Sequence, residues 1–214
     1  MARIIPAILV KTEQEFRKQI SLAALFAPLV QIDVLDNTML PEKSFGDATT
    51  IASMHLALPF EAHLMVDHPE RKVGEWIKAG ASRVIVHIES KGEIGLALGK
   101  ILHADRIPGL AINPETDLAL LKDWAPFVHH FQIMGVNPGA QGRPFDHNAI
   151  DRARALKRAY PHITVAVDGG ITDAHHLARS LAEVGVDDLV VGSAIWGAND
   201  PARAYREISA DAKI

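Results

Sequence analysis

The sequence predicts an α/β fold, a single closed (β/α)8 barrel over residues 1–214. Three observations carry that expectation. Strand-like and helix-like segments alternate along the whole chain, with no linker, charge run or low-complexity stretch. The strand-like runs are short, rich in β-branched residues and eight in number, the count that closes a barrel. Two of them, one βα unit apart, stop at glycine: Thr164–Val167 runs into Asp168-Gly169-Gly170, and Val190-Val191 into Gly192-Ser193. Buried parallel strands that end in backbone-open loops read this way.

Taken in order, the expected strands are Ile4–Leu9, Leu29–Val34, Phe60–Met65, Arg83–Ile88, Ile107–Ile112, Val128–Ile133, Ile163–Val167 and Asp188–Val191. Helical periodicity marks Glu13–Leu25, Pro69–Ala79, Ile94–His103, Asp146–Arg158, Asp173–Val184 and Pro201–Ser209. Pro69 and Pro201 suit a first helical turn, where the missing N–H costs nothing. Asp173 suits an N-cap, and Gly80 and Gly185 stand where a helix C-cap glycine belongs. The least regular helix is Thr116–Trp124. The run from Gly135 to Pro144 is long and glycine-rich, which fits either a lid over a site or a plain surface connection.

Composition narrows the function. With 48% hydrophobic and 22% charged residues the chain matches a globular protein with a large core. A net charge of −4 argues against a nucleic-acid partner, which wants a basic surface. An anionic substrate must therefore be held by local donors. Cysteine is absent, so disulfides and thiolate chemistry are excluded. No apolar run reaches the ~18 residues of a membrane span, and Met1–Pro6 does not read as a signal peptide, so the expected location is cytoplasmic.

In a barrel, polar residues at the C-terminal strand ends are the site candidates. The two-residue strand period puts Gln31, Asp33 and Leu35 on one face, and Glu61, His63 and Met65 on one face. Later strands supply His87 and Glu89, Asn113, Met134 and Asp168. Asp33 and Asp168, on strands two and seven, stand nearly across the barrel. A carboxylate pair of that kind can remove a proton from one face of a carbon and return one to the other. With His63 they also make a candidate first shell for Zn, Fe or Mn, an ion able to stabilise an enediolate. Gly169, Gly170, Gly192 and Ser193 can cradle a phosphate. Each has a plainer reading: a strand-end Asp as an ion-pair partner, a lone His as a core residue, Met65 and Met134 as filler.

Together these stretches resemble the ribulose-phosphate 3-epimerase family over nearly the full length. The resemblance is carried by Ile32-Asp33-Val34-Leu35-Asp36, His63-Leu64-Met65-Val66, Asn113-Pro114-Glu115-Thr116, Met134-Gly135-Val136-Asn137-Pro138-Gly139, Val167-Asp168-Gly169-Gly170-Ile171 and Val191-Gly192-Ser193-Ala194-Ile195. It implies a TIM barrel of the ribulose-phosphate-binding type and an isomerase acting on a ketose phosphate. Asp33 and Asp168 would transfer the protons at C3. One divalent metal ion would be held by two aspartates and two histidines, here Asp33, His63 and Asp168 with Gln31 at the second histidine's position. Met65 and Met134 would screen the enediolate from water. Gly139–Gly142 would cover the phosphate, with Gly170, Gly192 and Ser193 as donors, and a homo-oligomer would be the expected assembly.

The chain also departs from the family pattern. Gln31 replaces a histidine, Ala7 a serine, Leu35 a methionine, and Asp36-Asn37 an Asp-Gly pair. The loop at Pro138–Arg143 lacks an aromatic and one glycine, with Arg143 available as a phosphate contact. These edits leave a second reading open, a sugar-phosphate-binding barrel without catalysis. A sugar-phosphate decarboxylase sharing the phosphate site is disfavoured, because the lysine of its Asp-x-Lys-x-x-Asp motif is missing after Asp33.

Overall fold

A computed structural model describes residues 2–139, 142–172 and 176–213. Eight parallel strands close into a barrel in sequence order. They are β1 (Arg3–Ile8), β2 (Val30–Leu35), β3 (Phe60–Met65), β4 (Arg83–His87), β5 (Ile107–Ile112), β6 (His130–Met134), β7 (Thr164–Asp168) and β8 (Asp188–Val191). The ring is sealed by β1 against β8, with Arg3 opposite Asp188 and Pro6 opposite Val191. The (β/α)8 expectation holds, with strand ends shifted by a residue or two.

The helices are α1 (Glu13–Ala23), α2 (Ala48–Ser53), α3 (Pro69–Lys78), α4 (Ile94–His103), α5 (Asn148–Ala159), α6 (Leu177–Glu183), α7 (Ser193–Trp196) and α8 (Pro201–Asp211). Local chemistry starts half of them. The Thr12 hydroxyl accepts from Glu15 N at 3.2 Å, and Asp200 caps α8 through Arg203 N at 2.9 Å. Pro69 and Pro201 occupy the first turns, and Gly80 and Gly185 follow α3 and α6 with positive φ. The segment expected as a helix over Thr116–Trp124 forms two 3₁₀ stretches instead, Leu118–Asp123 and Ala125–Phe127. Asp117 caps the first through Ala119 N, and Pro126, with no N–H, prevents a continuous α-helical ladder. Asp173, the expected cap before α6, lies outside the described residues, as do Ala140 and Gln141 of the expected lid. No helix among the described residues is long and apolar enough to cross a membrane.

Strand alternation sorts the core into two environments. Outward residues such as Ile32, Leu64, Val84, Phe131, Val165 and Leu189 pack under the helices in one large apolar cluster. Each such side chain contributes about 1.5–3 kcal/mol on burial. The barrel's small separate apolar cluster is Ile5, Ala7, Leu29 and Val190. Many of the other inward positions are polar: Gln31, Asp33, Glu61, His63, Arg83, His87, His130, Gln132, Asp168 and Asp188 are all buried.

At the N-terminal end of the strands this polar interior is an ionic layer. Arg83 donates through Nε to Glu61 Oε2 at 2.8 Å, through Nη2 to Asp188 Oδ2 at 2.9 Å, and through Nη1 to His130 Nδ1 at 2.8 Å. Arg3 donates to both Asp188 oxygens at 2.9 Å. Burial pushes Glu61 up to about 7 in spite of Arg83, and burial together with Arg83 holds His130 neutral.

Candidate active site

The C-terminal strand ends open into one cleft. Asp33, His63, Met65, Met134, Gly139, Gly142, Asp168, Gly169, Gly170, Gly192 and Ser193 all line it, together with Ala7, Leu9, Val136, Pro138 and Ile171. Residues from five strands and from the turn after β8 thus converge on one mouth, as their strand-end positions require. Leu35 lines a neighbouring groove with Lys43 and Phe45 instead. Arg143 also stands apart from the cleft, donating to the Asn137 carbonyl at 3.0 Å.

Gln31 lies beneath the cleft, fully buried on β2. Its Nε2 donates to Asp33 Oδ1 at 2.8 Å and to Asp168 Oδ2 at 2.7 Å, and lies 3.3 Å from His63 Nδ1. A second amide, Gln132, donates to Asp168 Oδ2 at 2.7 Å. His63 Nδ1 is 3.1 Å from Asp33 Oδ1 and 3.3 Å from Asp168 Oδ2. The two aspartates therefore meet over Gln31, each with one oxygen committed and the other, Asp33 Oδ2 or Asp168 Oδ1, left out of this network. Gln132 was not singled out from sequence, although it sits two residues before Met134 on the inward face of β6.

The electrostatics separate the members of this cluster. Burial raises the Asp33 carboxyl above the usual carboxylate range, and the nearby Asp168 charge adds to that, against the hydrogen bonds from His63 and Gln31. Burial alone would lower His63, but its hydrogen bonds with Asp168 and Asp33, and the attraction of their charges, lift it to about 9. The ring is therefore protonated at neutral pH. Its Nε2 donates to His87 Nε2 at 2.8 Å, and burial keeps His87 neutral. His87 Nδ1 then donates to Glu89 Oε2 at 3.1 Å, while Glu89 Oε1 accepts from Asn113 N and the Thr116 hydroxyl. This chain fixes the tautomer of His87 and the orientation of both rings.

Asp33, His63 and Asp168 each offer one ligand atom, all within 4.8 Å of one another, a set that could hold a metal ion. Gln31 does not fit the part of fourth ligand. It presents N–H donors to the cluster, whereas a ligand must present an electron pair. Its oxygen, Oε1, points away and is buried without a hydrogen-bond partner.

The glycines have packing reasons as well as their place in the cleft. Gly169 and Gly170 take φ of +93° and +71°. A Cβ at Gly169 would stand 2.6 Å from Val136 Cγ2, and one at Gly170 would stand 2.8 Å from the Phe145 backbone. Both keep the end of β7 pressed against the loop after β6. Asn37 adopts φ of 62°, the left-handed conformation open to asparagine as well as glycine, which explains how Asp-Asn replaces Asp-Gly there.

Comparison with known proteins agrees with this picture. Ribulose-phosphate 3-epimerase of Aquifex aeolicus is 32% identical over 182 residues, 81% of this chain and 80% of that protein. The Bacillus subtilis protein of the same name is 29% identical over 188 residues, 85% of this chain and 86% of that one. The 3-hexulose-6-phosphate synthase structure from Salmonella typhimurium superposes with a TM-score of 0.73 over 98% of both chains at 19% identity, a likeness of fold alone. The model of the Ribulose-phosphate 3 epimerase family matches residues 3–196, from the first strand to the helix after the last. A match of that extent includes every strand of the barrel and every residue of the cleft, and by it the chain belongs to the ribulose-phosphate 3-epimerase family.

Proposed function

We propose that this protein is an isomerase that inverts C3 of a ketose phosphate, interconverting D-ribulose 5-phosphate and D-xylulose 5-phosphate or a hexulose-phosphate analogue. The observation that carries this reading is the pair of buried carboxylates in the glycine-walled cleft, one of them, Asp33, held above its ordinary pKa. The C3–H bond is acidified by the adjacent C2 carbonyl. The ionised carboxylate takes that proton, leaving an enediolate, and the protonated partner delivers its own proton to the opposite face of C3. The proton count is conserved, and the two aspartates have exchanged states.

The surrounding side chains serve this exchange. Gln31, Gln132 and His63 hold one oxygen of each aspartate, which fixes the other oxygen toward the substrate. The positive charge on His63 offsets the negative charge of the enediolate. Met65 and Met134 narrow the cleft against water, which slows loss of the intermediate. Gly139, Gly142, Gly169, Gly170, Gly192 and Ser193 form the wall for the phosphate. No step in this sequence requires an ion.

Incubation with ribulose 5-phosphate in deuterated water tests the reading. The expected result is xylulose 5-phosphate carrying deuterium at C3. Thermal stabilisation by the sugar phosphate without any exchange would instead establish a binding protein.

A further inference from the structure

We propose that the side-chain amide of Gln31 takes the place of a divalent ion between the two aspartates, so that the pair works without a metal. This rests on the reading of Asp33 and Asp168 as the proton-transfer groups. Gln31 is then a positioning residue, acting on substrate only through the carboxylates it holds.

Position is the first argument. Nε2 lies 2.8 Å from Asp33 Oδ1, 2.7 Å from Asp168 Oδ2 and 3.3 Å from His63 Nδ1. An ion drawn in among the same three atoms would meet the N–H groups of this nitrogen, which are aimed at those atoms and repel a cation. The two cannot be there together. Nor is there slack for the amide to move aside, since Gln31 is fully buried on a strand paired on both sides.

Polarity is the second. A primary amide nitrogen carries two N–H groups, and it faces two carboxylate oxygens, one for each. Turning the amide to offer Oε1 to an ion would bring that oxygen into the space now 2.7–2.8 Å from both carboxylates. It would also move the two N–H groups to where Oε1 now lies, buried and without a partner. A buried donor pair left unpaired is costlier than one under-used carbonyl oxygen.

Gln132 is the third. By donating to Asp168 Oδ2 at 2.7 Å it gives that single oxygen two amide donors. Short N–H dipoles therefore supply the carboxylate solvation that an ion would otherwise provide. The bridge is also even-handed: one nitrogen bonds both carboxylates, so it serves whichever of them is ionised. That suits a reaction in which the two exchange states every turnover.

The test is ion binding and turnover measured on the same protein. Wild type and Gln31→His are stripped with a chelator, then titrated with Zn²⁺ and with Mn²⁺ by calorimetry and native mass spectrometry. Wild type is expected to take up no stoichiometric ion and to keep its turnover after stripping, within about twofold, well inside the 100-fold scale of losing a catalytic group. Gln31→His is expected to bind one ion per chain, because imidazole supplies the missing electron pair. One tightly held ion in wild type, or turnover lost on stripping and restored by Zn²⁺ or Mn²⁺, would overturn the proposal. The wild-type arm decides the matter even if Gln31→His fails to fold. Failure of the epimerase reading would appear separately, as no deuterium at C3 with or without ion.

Discussion

The barrel encloses two buried polar clusters, one at each end of the strands, and they balance their charges in opposite ways. At the N-terminal end two carboxylates, Glu61 and Asp188, face two guanidinium groups, Arg3 and Arg83, in direct hydrogen-bonded pairs. At the C-terminal end two carboxylates, Asp33 and Asp168, face one histidine and two neutral amides. Arginine does not give up its proton, so the guanidinium groups of the first cluster transfer none. The second contains only groups that can gain or lose a proton or that merely donate hydrogen bonds. On the proposed function, similar carboxylates inside one barrel thus serve stability at one end and chemistry at the other, and the difference lies in their partners.

Substitutions should separate the two ends. Asp33→Asn and Asp168→Asn should each cut turnover by on the order of 100- to 10,000-fold while the melting temperature changes little, since the repulsion between the carboxylates and part of their attraction to His63 are lost together. Kinetics and calorimetry on the same preparations check both halves. Arg83→Met should do the reverse. It leaves Glu61 and Asp188 with Arg3 as the one remaining guanidinium and costs about 3–5 kcal/mol, roughly 6–20 °C in Tm. Turnover per folded molecule should be little changed. Equal losses of stability at both ends would erase the contrast.

The pH dependence sharpens it further. His63 rises from 6.5 to about 9 on folding, so the folded state binds its proton more tightly than the unfolded chain. The stability this gives is complete below pH 6.5 and is lost as the pH climbs to about 9, by up to about 3 kcal/mol. Glu61 rises from 4.5 to about 7, so its burial becomes a cost over that lower range and stays one above it. Above pH 6.5 stability should therefore fall with rising pH through His63, whereas below it the loss through Glu61 is opposed by His87 and His130, buried neutral and protonated only in the unfolded chain. Denaturant midpoints for wild type, Glu61→Gln and His63→Gln would show stability gained relative to wild type between pH 4.5 and 7 in the first variant and the fall above pH 6.5 vanish in the second. A profile unaltered by His63→Gln would remove the protonated imidazole from the mouth.

The smallest expected effect concerns the wall. Gly169→Ala forces a left-handed backbone and a Cβ against Val136, costing about 1–2 kcal/mol in stability. Its KM for the sugar phosphate should rise more than its kcat falls, because the displaced loop borders the phosphate end. An unchanged KM would confine Gly169 to packing.

Much of this was legible in the chain. Short β-branched runs, proline at helix starts and glycine after helices act through neighbours in sequence, which is why all eight strands were found within a residue or two. The alternation of Gln31 with Asp33, and of Glu61 with His63, likewise placed them inward. The stretch after β5 was less legible, because its apolar spacing suits either helix type and Pro126 settles it only through the ladder it interrupts. Arg143 could be named as a phosphate contact from sequence, yet the loop turns it onto the Asn137 carbonyl.

The sequence by itself determined the barrel, the cleft and which residue types line it, since these follow from local periodicity and from where strands end. Only the tertiary structure decided what those residues do to one another. Gln31 and Asp168 are 137 positions apart, and Arg83 and Asp188 are 105 apart. Hydrogen bonds across such separations exist only once the barrel has closed. A side chain's partners, rather than its type, decide whether it stabilises the fold or moves a proton.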